Sequence, residues 1–254
     1  MKERIYAVFS KIGGITVFTG RYFREIFRPR FEFQEFLRQC FYIGYKSLAL
    51  VAITAFIMGL VITIQSRPTL VEFGAEAWLP KMVSVSLVRE IAPVITALIC
   101  AGKIGSGIGA ELGSMKVTEQ IDAMDVSGTN PYKFLVVTRV SAAVIMIPLL
   151  AILADAISLY GAYLGTNIQG AVSWDLFWNQ VFDTLSYSDV IPAIIKTFFF
   201  GFFIGIIGCY EGFNSKKGTE GVGRSANSAV VIASLLVFII DLIAVQVTDL
   251  AGFT

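Results

Sequence analysis

From Ser47 to Ile64 the chain runs eighteen residues without one charged side chain. A helix rises about 1.5 Å per residue, so such a run approaches the length that crosses a hydrocarbon core of about 30 Å. Four more apolar stretches follow, at about 81–103, 134–165, 190–210 and 226–247. In hydrocarbon every backbone N–H and C=O must be satisfied within the segment, which a helix does. The pattern predicts an all-α integral membrane protein with about five transmembrane helices. Composition agrees, since only 15% of residues are charged, against about 25% in soluble chains.

Residues 1–44 read as an interfacial amphipathic segment and 45–254 as one transmembrane domain. Ile5, Val8, Phe9, Ile12 and Ile15 recur at helical spacing, with Lys2, Arg4 and Lys11 on other faces. After Pro29 a second stripe follows at Phe33, Phe36, Leu37, Cys40 and Phe41. Basic residues interleaved with phenylalanines suit helices lying among lipid headgroups. The stretch from Met1 to Gly20 lacks a compact apolar run followed by small residues, so no cleavable signal peptide is expected.

Lys and Arg set the orientation. Nine precede the first span: Lys2, Arg4, Lys11, Arg21, Arg24, Arg28, Arg30, Arg38 and Lys46. Lys103, Lys116 and Lys133 lie between spans two and three, and Lys216, Lys217 and Arg224 between spans four and five. Only Arg67 and Lys81 lie between spans one and two, and the loop from Thr166 to Asp189 has none. The alternation predicts a cytoplasmic N-terminus and an external C-terminus.

The chain contains no histidine. That excludes Ser-His-Asp and Cys-His nucleophile pairs and histidine metal sites. Cys40, Cys100 and Cys209 sit among apolar residues without paired spacing and read as buried, unreactive thiols. No catalytic residue, metal or cofactor is expected in this chain.

Arg89, Glu90, Asp155, Lys196 and Asp241 fall inside apolar spans, where each charge is costly unless paired or wet. All five fall at mid-depth or in the outer half, as a polar-bottomed cavity open to the outside requires. Interhelical ion pairs, with Lys196 snorkelling, are the competing explanation. Arg89 and Glu90 are adjacent and do not face each other on a helix, so each needs its own partner, a ligand or a second subunit.

Gly102-Lys103-Ile104-Gly105-Ser106-Gly107-Ile108-Gly109 resembles a phosphate loop only superficially. A P-loop needs Ser or Thr directly after Gly-Lys, and Ile104 stands there. A dinucleotide turn needs a preceding strand, and an apolar span precedes this one. Ala101, Gly105, Gly109 and Gly113 instead have the four-residue spacing of close helix packing, as do Gly201 and Gly205. Any ATP used must bind another subunit. In the following loop Thr118 caps a short helix, Glu119 occupies its first turn, and Gly128 with Pro131 ends it. Ile121 and Met124 give it an apolar edge, suited to docking a cytoplasmic partner.

These residues also carry a resemblance. Arg89-Glu90-Ile91-Ala92-Pro93, Ala101-Gly102-Lys103, Ala110-Glu111-Leu112-Gly113-Ser114-Met115 and Thr118-Glu119-Gln120-Ile121-Asp122-Ala123 resemble the MlaE/YrbE family. Gln65, Phe73-Gly74-Ala75, Gly128, Asn130-Pro131, Arg139, Glu220-Gly221-Val222-Gly223-Arg224 and Asp241 extend it over roughly 44–247. The resemblance implies the permease subunit of a lipid-transporting ABC system. It implies a homodimer in the bacterial inner membrane, a separate ATPase that binds ATP, a periplasmic MCE-domain protein, and phospholipid as substrate. Nucleic acid is not among the expected partners. On the same pattern Glu111, Met115, Thr118, Glu119 and Asp122 belong to the ATPase-coupling region. Arg89, Glu90 and Asp241 would sit by the lipid cavity, with Val83, Ser86 and Leu87 one or two turns from Arg89 and Glu90. Two other classes compete: an ion-coupled secondary transporter of an amphipathic substrate, using Glu90, Asp155 and Asp241, and a membrane enzyme acting on lipids.

Overall fold

The computed structural model describes residues 2–29, 31–168, 170, 172–250 and 252, with side chains for all of these except 2–5, 7 and 8. The side chains of Lys2, Arg4, Ile5 and Val8, and all of Arg30, therefore lie outside the described residues. Eleven α-helices are described: α1 (Lys2–Ile26), α2 (Phe33–Cys40), α3 (Lys46–Glu72), α4 (Leu79–Ser86), α5 (Ala92–Cys100), α6 (Ser106–Val117), α7 (Gln120–Val126), α8 (Thr138–Asn167), α9 (Trp174–Thr184), α10 (Tyr187–Phe213) and α11 (Thr219–Leu250). There is no strand among the described residues. π-helical turns at Phe41–Tyr45, Leu87–Ile91 and Ala101–Gly105 splice neighbouring helices, and another at Tyr132–Val137 leads into α8.

Among the described residues, five continuous helical stretches are long and apolar enough to span a bilayer: Phe33–Glu72, Glu76–Val117, Tyr132–Asn167, Tyr187–Phe213 and Thr219–Leu250. Each apolar run of the sequence lies inside one of them. The helices are longer because polar end turns continue the backbone hydrogen bonding after the apolar centre stops.

α1 and α2 are amphipathic in the inverse of the soluble sense. In α2 Glu35 and Gln39 are buried, joined by an amide-to-carboxylate hydrogen bond of 2.7 Å, while Phe33 and Leu37 are exposed. In α1 Tyr22 and Glu25 are buried, and Phe9, Val17 and Phe23 face outward. Such helices suit a lipid surround. The stripe beginning at Phe33 is continuous with the first span through the turn Phe41–Tyr45, where the sequence suggested a separate interfacial helix.

The chain forms two compact units. The first comprises Met1–Ile43, Ala101–Val144 and Phe202–Leu235. It carries fifteen Lys and Arg against ten Asp and Glu. In it, α1 is fastened by Lys11 to Glu211 at 2.8 Å and by Asn130 Nδ2 donating to Glu25 at 3.1 Å. The Tyr132 hydroxyl donates to the Phe18 carbonyl, and the Tyr22 hydroxyl pairs with Ser141 at 3.1 Å. Burial pushes the Tyr22 phenol above its ordinary range, so it stays protonated there. The stretch 102–109 is helical throughout and offers no phosphate loop. A Cβ at Gly109 would lie 3.3 Å from Ala226 and Ala229, and one at Gly205 would lie 3.0 Å from Val140. These glycines are the contact points of packed helices, as their spacing suggested.

The second unit comprises Gly44–Cys100, Ile145–Gly201 and Leu236–Thr254, with five Lys and Arg against nine Asp and Glu. Here α3 and α8 touch backbone to backbone: Gly59 meets the Ser158 carbonyl and Gly161 meets the Phe56 carbonyl. A core of Leu79, Val83, Leu87, Leu159, Phe177 and Val181 joins α4, α8 and α9. Hydropathy alone puts the residues of α9 in the loop between spans three and four, and the structure makes them a helix. The Ser173 hydroxyl caps it by accepting from the Leu176 amide, and Phe177 and Val181, one turn apart, bury its inner face.

Candidate functional site

Pro93 has no N–H to return to the carbonyl of Arg89, four residues back, and its ring crowds that carbonyl. The helix loosens there into the π turn Leu87–Ile91. Leu87 and Val88 turn into the core, and Arg89 and Glu90 are left half-exposed.

Lys196 of α10 answers Glu90. Its Nζ lies 2.5 Å from Glu90 Oε2 and 2.8 Å from Asp241 Oδ1 of α11. Its side chain is only 4% exposed, so it bridges two carboxylates and does not snorkel. Arg89 Nη1 lies 3.4 Å from Asp189 Oδ1, while Asp189 Oδ2 accepts from the backbone N–H and hydroxyl of Ser186. Arg89 and Glu90 thus find partners within the chain, on other helices, where adjacency had suggested a ligand or a second subunit. Both remain accessible, with side chains 29% and 40% exposed. Together with Asp189, Lys196, Ala244 and Thr248 they line a small cleft.

The other expected residues divide. Val83 and Leu87 are buried core side chains and do not face this cleft. Ser86 is half-exposed, its hydroxyl donating to the Met82 carbonyl at 2.9 Å. Asp155 has a buried Oδ1 without a hydrogen-bond partner, within electrostatic reach of Lys196.

The expected coupling residues lie in the first unit. Glu111 is half-exposed, and its Oε1 accepts from Arg139 Nη2 at 2.9 Å. Thr118 does not cap α7: its hydroxyl turns back to the Ser114 carbonyl and closes the end of α6. Glu119 then reverses the chain with a positive φ of 61°. Asp122 is exposed and pairs with Lys116 at 2.8 Å, and Met115 is half-buried. α7 ends as expected at Gly128, whose φ of 81° allows Gly128 to bond Asp125 and Thr129 to bond Met124. Ile121 is buried and Val126 is 91% exposed, so the outward apolar contact of α7 is Val126.

A family profile described as "Permease MlaE" matches residues 36–247. The chain belongs to the MlaE permease family. Similar proteins include a probable ABC transporter permease protein of Rickettsia bellii, 38% identical over 93% of this chain and 92% of its own length. The intermembrane phospholipid transport system permease protein MlaE of Haemophilus influenzae is 33% identical over 88% of this chain and 86% of its own. A probable ABC transporter permease protein of Synechocystis is 36% identical over 91% and 88%.

In this MlaE-family permease, a multi-pass membrane protein of ABC transporter type, one cleft residue lies outside the sequence reading of the site. Hydropathy puts Asp189 in a loop, whereas Lys196 is already one of the five charges within the spans, with snorkelling as the competing explanation. Asp189 and Lys196 are seven residues apart, two turns along one helix face. Such a face meets two adjacent charges of opposite sign, Arg89 and Glu90, which was the available signal.

Proposed function

We propose that this permease moves phospholipid between the inner membrane and a periplasmic MCE-domain protein, driven by a separate ATPase subunit. The carrying observation is a polar cleft, with accessible Arg89 and Glu90, inside the spans of an MlaE-family permease. Arg89 offers a fork of N–H donors to a phosphate, and the neighbouring apolar side chains suit acyl chains.

The partners follow from surface and charge. Only 28% and 17% of the most apolar windows of spans one and five are buried within the chain. Spans this bare suit lipid or a second copy, which supports a homodimer. The more basic unit favours the cytoplasmic side by the positive-inside rule. That side carries α7, whose exposed Asp122 and Val126 are suited to receive the ATPase that holds the ATP. An ion-coupled transporter draws support from the unpaired Asp155, but family membership favours the ATP-driven reading. Glu90→Arg should abolish lipid transfer in a reconstituted complex while the subunits still co-purify. Transport at the wild-type rate, or transport without any ATPase, would overturn the proposal.

A further inference from the structure

The charges that line the cleft balance, Arg89 and Lys196 against Glu90 and Asp189, but Asp241 behind Lys196 adds a third carboxylate. Arg89 and Lys196 face Glu90, Asp189 and Asp241, with Asp155 within electrostatic reach of Lys196. That is four carboxylates against two cations. With the buried Asp155 left aside, the carboxylates still exceed the cations by one. Both cations are already committed: Lys196 is shared by two carboxylates and Arg89 is held by Asp189. Glu90 has the most exposed side chain of the charged pairs here, at 40%.

Excess negative charge in a poorly solvated cleft repels an anion and attracts a cation. A phospholipid with an anionic headgroup would deepen the imbalance. One whose headgroup adds an ammonium to the phosphate is neutral overall, leaves the balance unchanged, and brings a cation to the free side of Glu90. We infer that the cleft selects aminophospholipid headgroups, the ammonium donating to Glu90 while the phosphate meets Arg89. This rests on the lipid-transport reading above and adds the headgroup class. A primary ammonium has N–H donors for the carboxylate, whereas a trimethylated one has the charge without the donors. The expected order is therefore ethanolamine, then choline, then glycerol headgroups.

The test is competition among lipids of identical acyl chains. The delipidated full-length permease is reloaded from an equimolar mixture of dioleoyl phosphatidylethanolamine, phosphatidylcholine and phosphatidylglycerol, and the retained lipids are counted by native mass spectrometry. The ethanolamine lipid should exceed the glycerol lipid by about tenfold, the scale of one unrelieved charge in a partly buried site. Glu90→Gln and Asp241→Asn should each shrink that ratio. Equal retention, or preference for the glycerol lipid, in the wild-type protein overturns the inference and leaves lipid transport standing. Failure to retain any lipid removes the lipid reading of the cleft itself, and the headgroup inference with it.

Discussion

Arg139 is 2% exposed, and its Nη2 reaches Glu111 Oε1, half-exposed on α6, at 2.9 Å. Its Nη1 donates to the Leu135 carbonyl at 3.0 Å. Glu111 therefore holds a buried guanidinium before it is anything to a partner subunit. Glu111→Ala should lower stability by about 2–4 kcal/mol, the scale for stranding a buried charge. Glu111→Gln, which keeps an acceptor, should lose less. Thermal unfolding of the purified variants in detergent checks this, and equal melting of Glu111→Ala and wild type would contradict it.

The same measurement separates folding from docking. Exposed Asp122 pairs with half-exposed Lys116, an interaction worth about 0.2–1 kcal/mol. Asp122→Lys should leave unfolding nearly unchanged and weaken ATPase co-purification. If ATPase binding and stimulation persist in Asp122→Lys, α7 is not the dock.

Lys196 neutralises Glu90 and Asp241 together, so removing it should be worse than removing either acid. An uncompensated charge at mid-membrane costs about 2.5–3.5 kcal/mol on insertion scales. Lys196→Met should reduce the yield of folded protein sharply. Adding Glu90→Gln and Asp241→Asn to Lys196→Met should restore much of it, because no charge is then stranded. Additive losses across the series would argue against the bridge.

Much of the fold was legible because the bilayer imposes few choices. The uncharged run ending at Ile64 and the four stretches after it had to be helices, and the helices contain them. Gly109 and Gly205 were legible as packing points because four-residue spacing places them on one helix face. The π turn at Leu87–Ile91 was not legible, since it depends on how the helix yields near Pro93. Val83 and Leu87 were assigned to the cleft by distance along the helix, yet their face meets Leu159 and Phe177 in the core. Burial of a helix face depends on its neighbours, which spacing alone does not name.

The glycines make a sharper test of packing. Gly59 and Gly161 face backbone carbonyls across the α3–α8 contact, with no flexible side chain to give way. Gly59→Val or Gly161→Val must separate the two helices, at a cost above the 1–3 kcal/mol typical of overpacking. Gly107 has nothing within 4 Å of its built Cβ. Gly107→Ala should be neutral or stabilise by about 0.5–1 kcal/mol through reduced chain entropy. Thermal unfolding of the three variants should separate them in that order.

Orientation can be tested through the charge difference between the two units. The more basic one contains the segment 214–218 between α10 and α11, with Lys216 and Lys217. The acidic one contains α9 and its flanks, 166–189, without a single Lys or Arg. Lys and Arg near span ends are retained on the cytoplasmic side, and acidic residues contribute little. A reporter active only in the cytoplasm should therefore work when fused after Ser215. It should be silent when fused after Gly170 or at the C-terminus, since five spans place opposite ends of the chain on opposite sides. Replacing Lys216, Lys217 and Arg224 with Gln should weaken this preference without inverting it, because the basic residues ahead of the first span remain. Reporter activity at the C-terminus would remove the five-span topology. It would also place the cleft of Arg89 and Glu90 on the cytoplasmic side, where a periplasmic partner could not reach it.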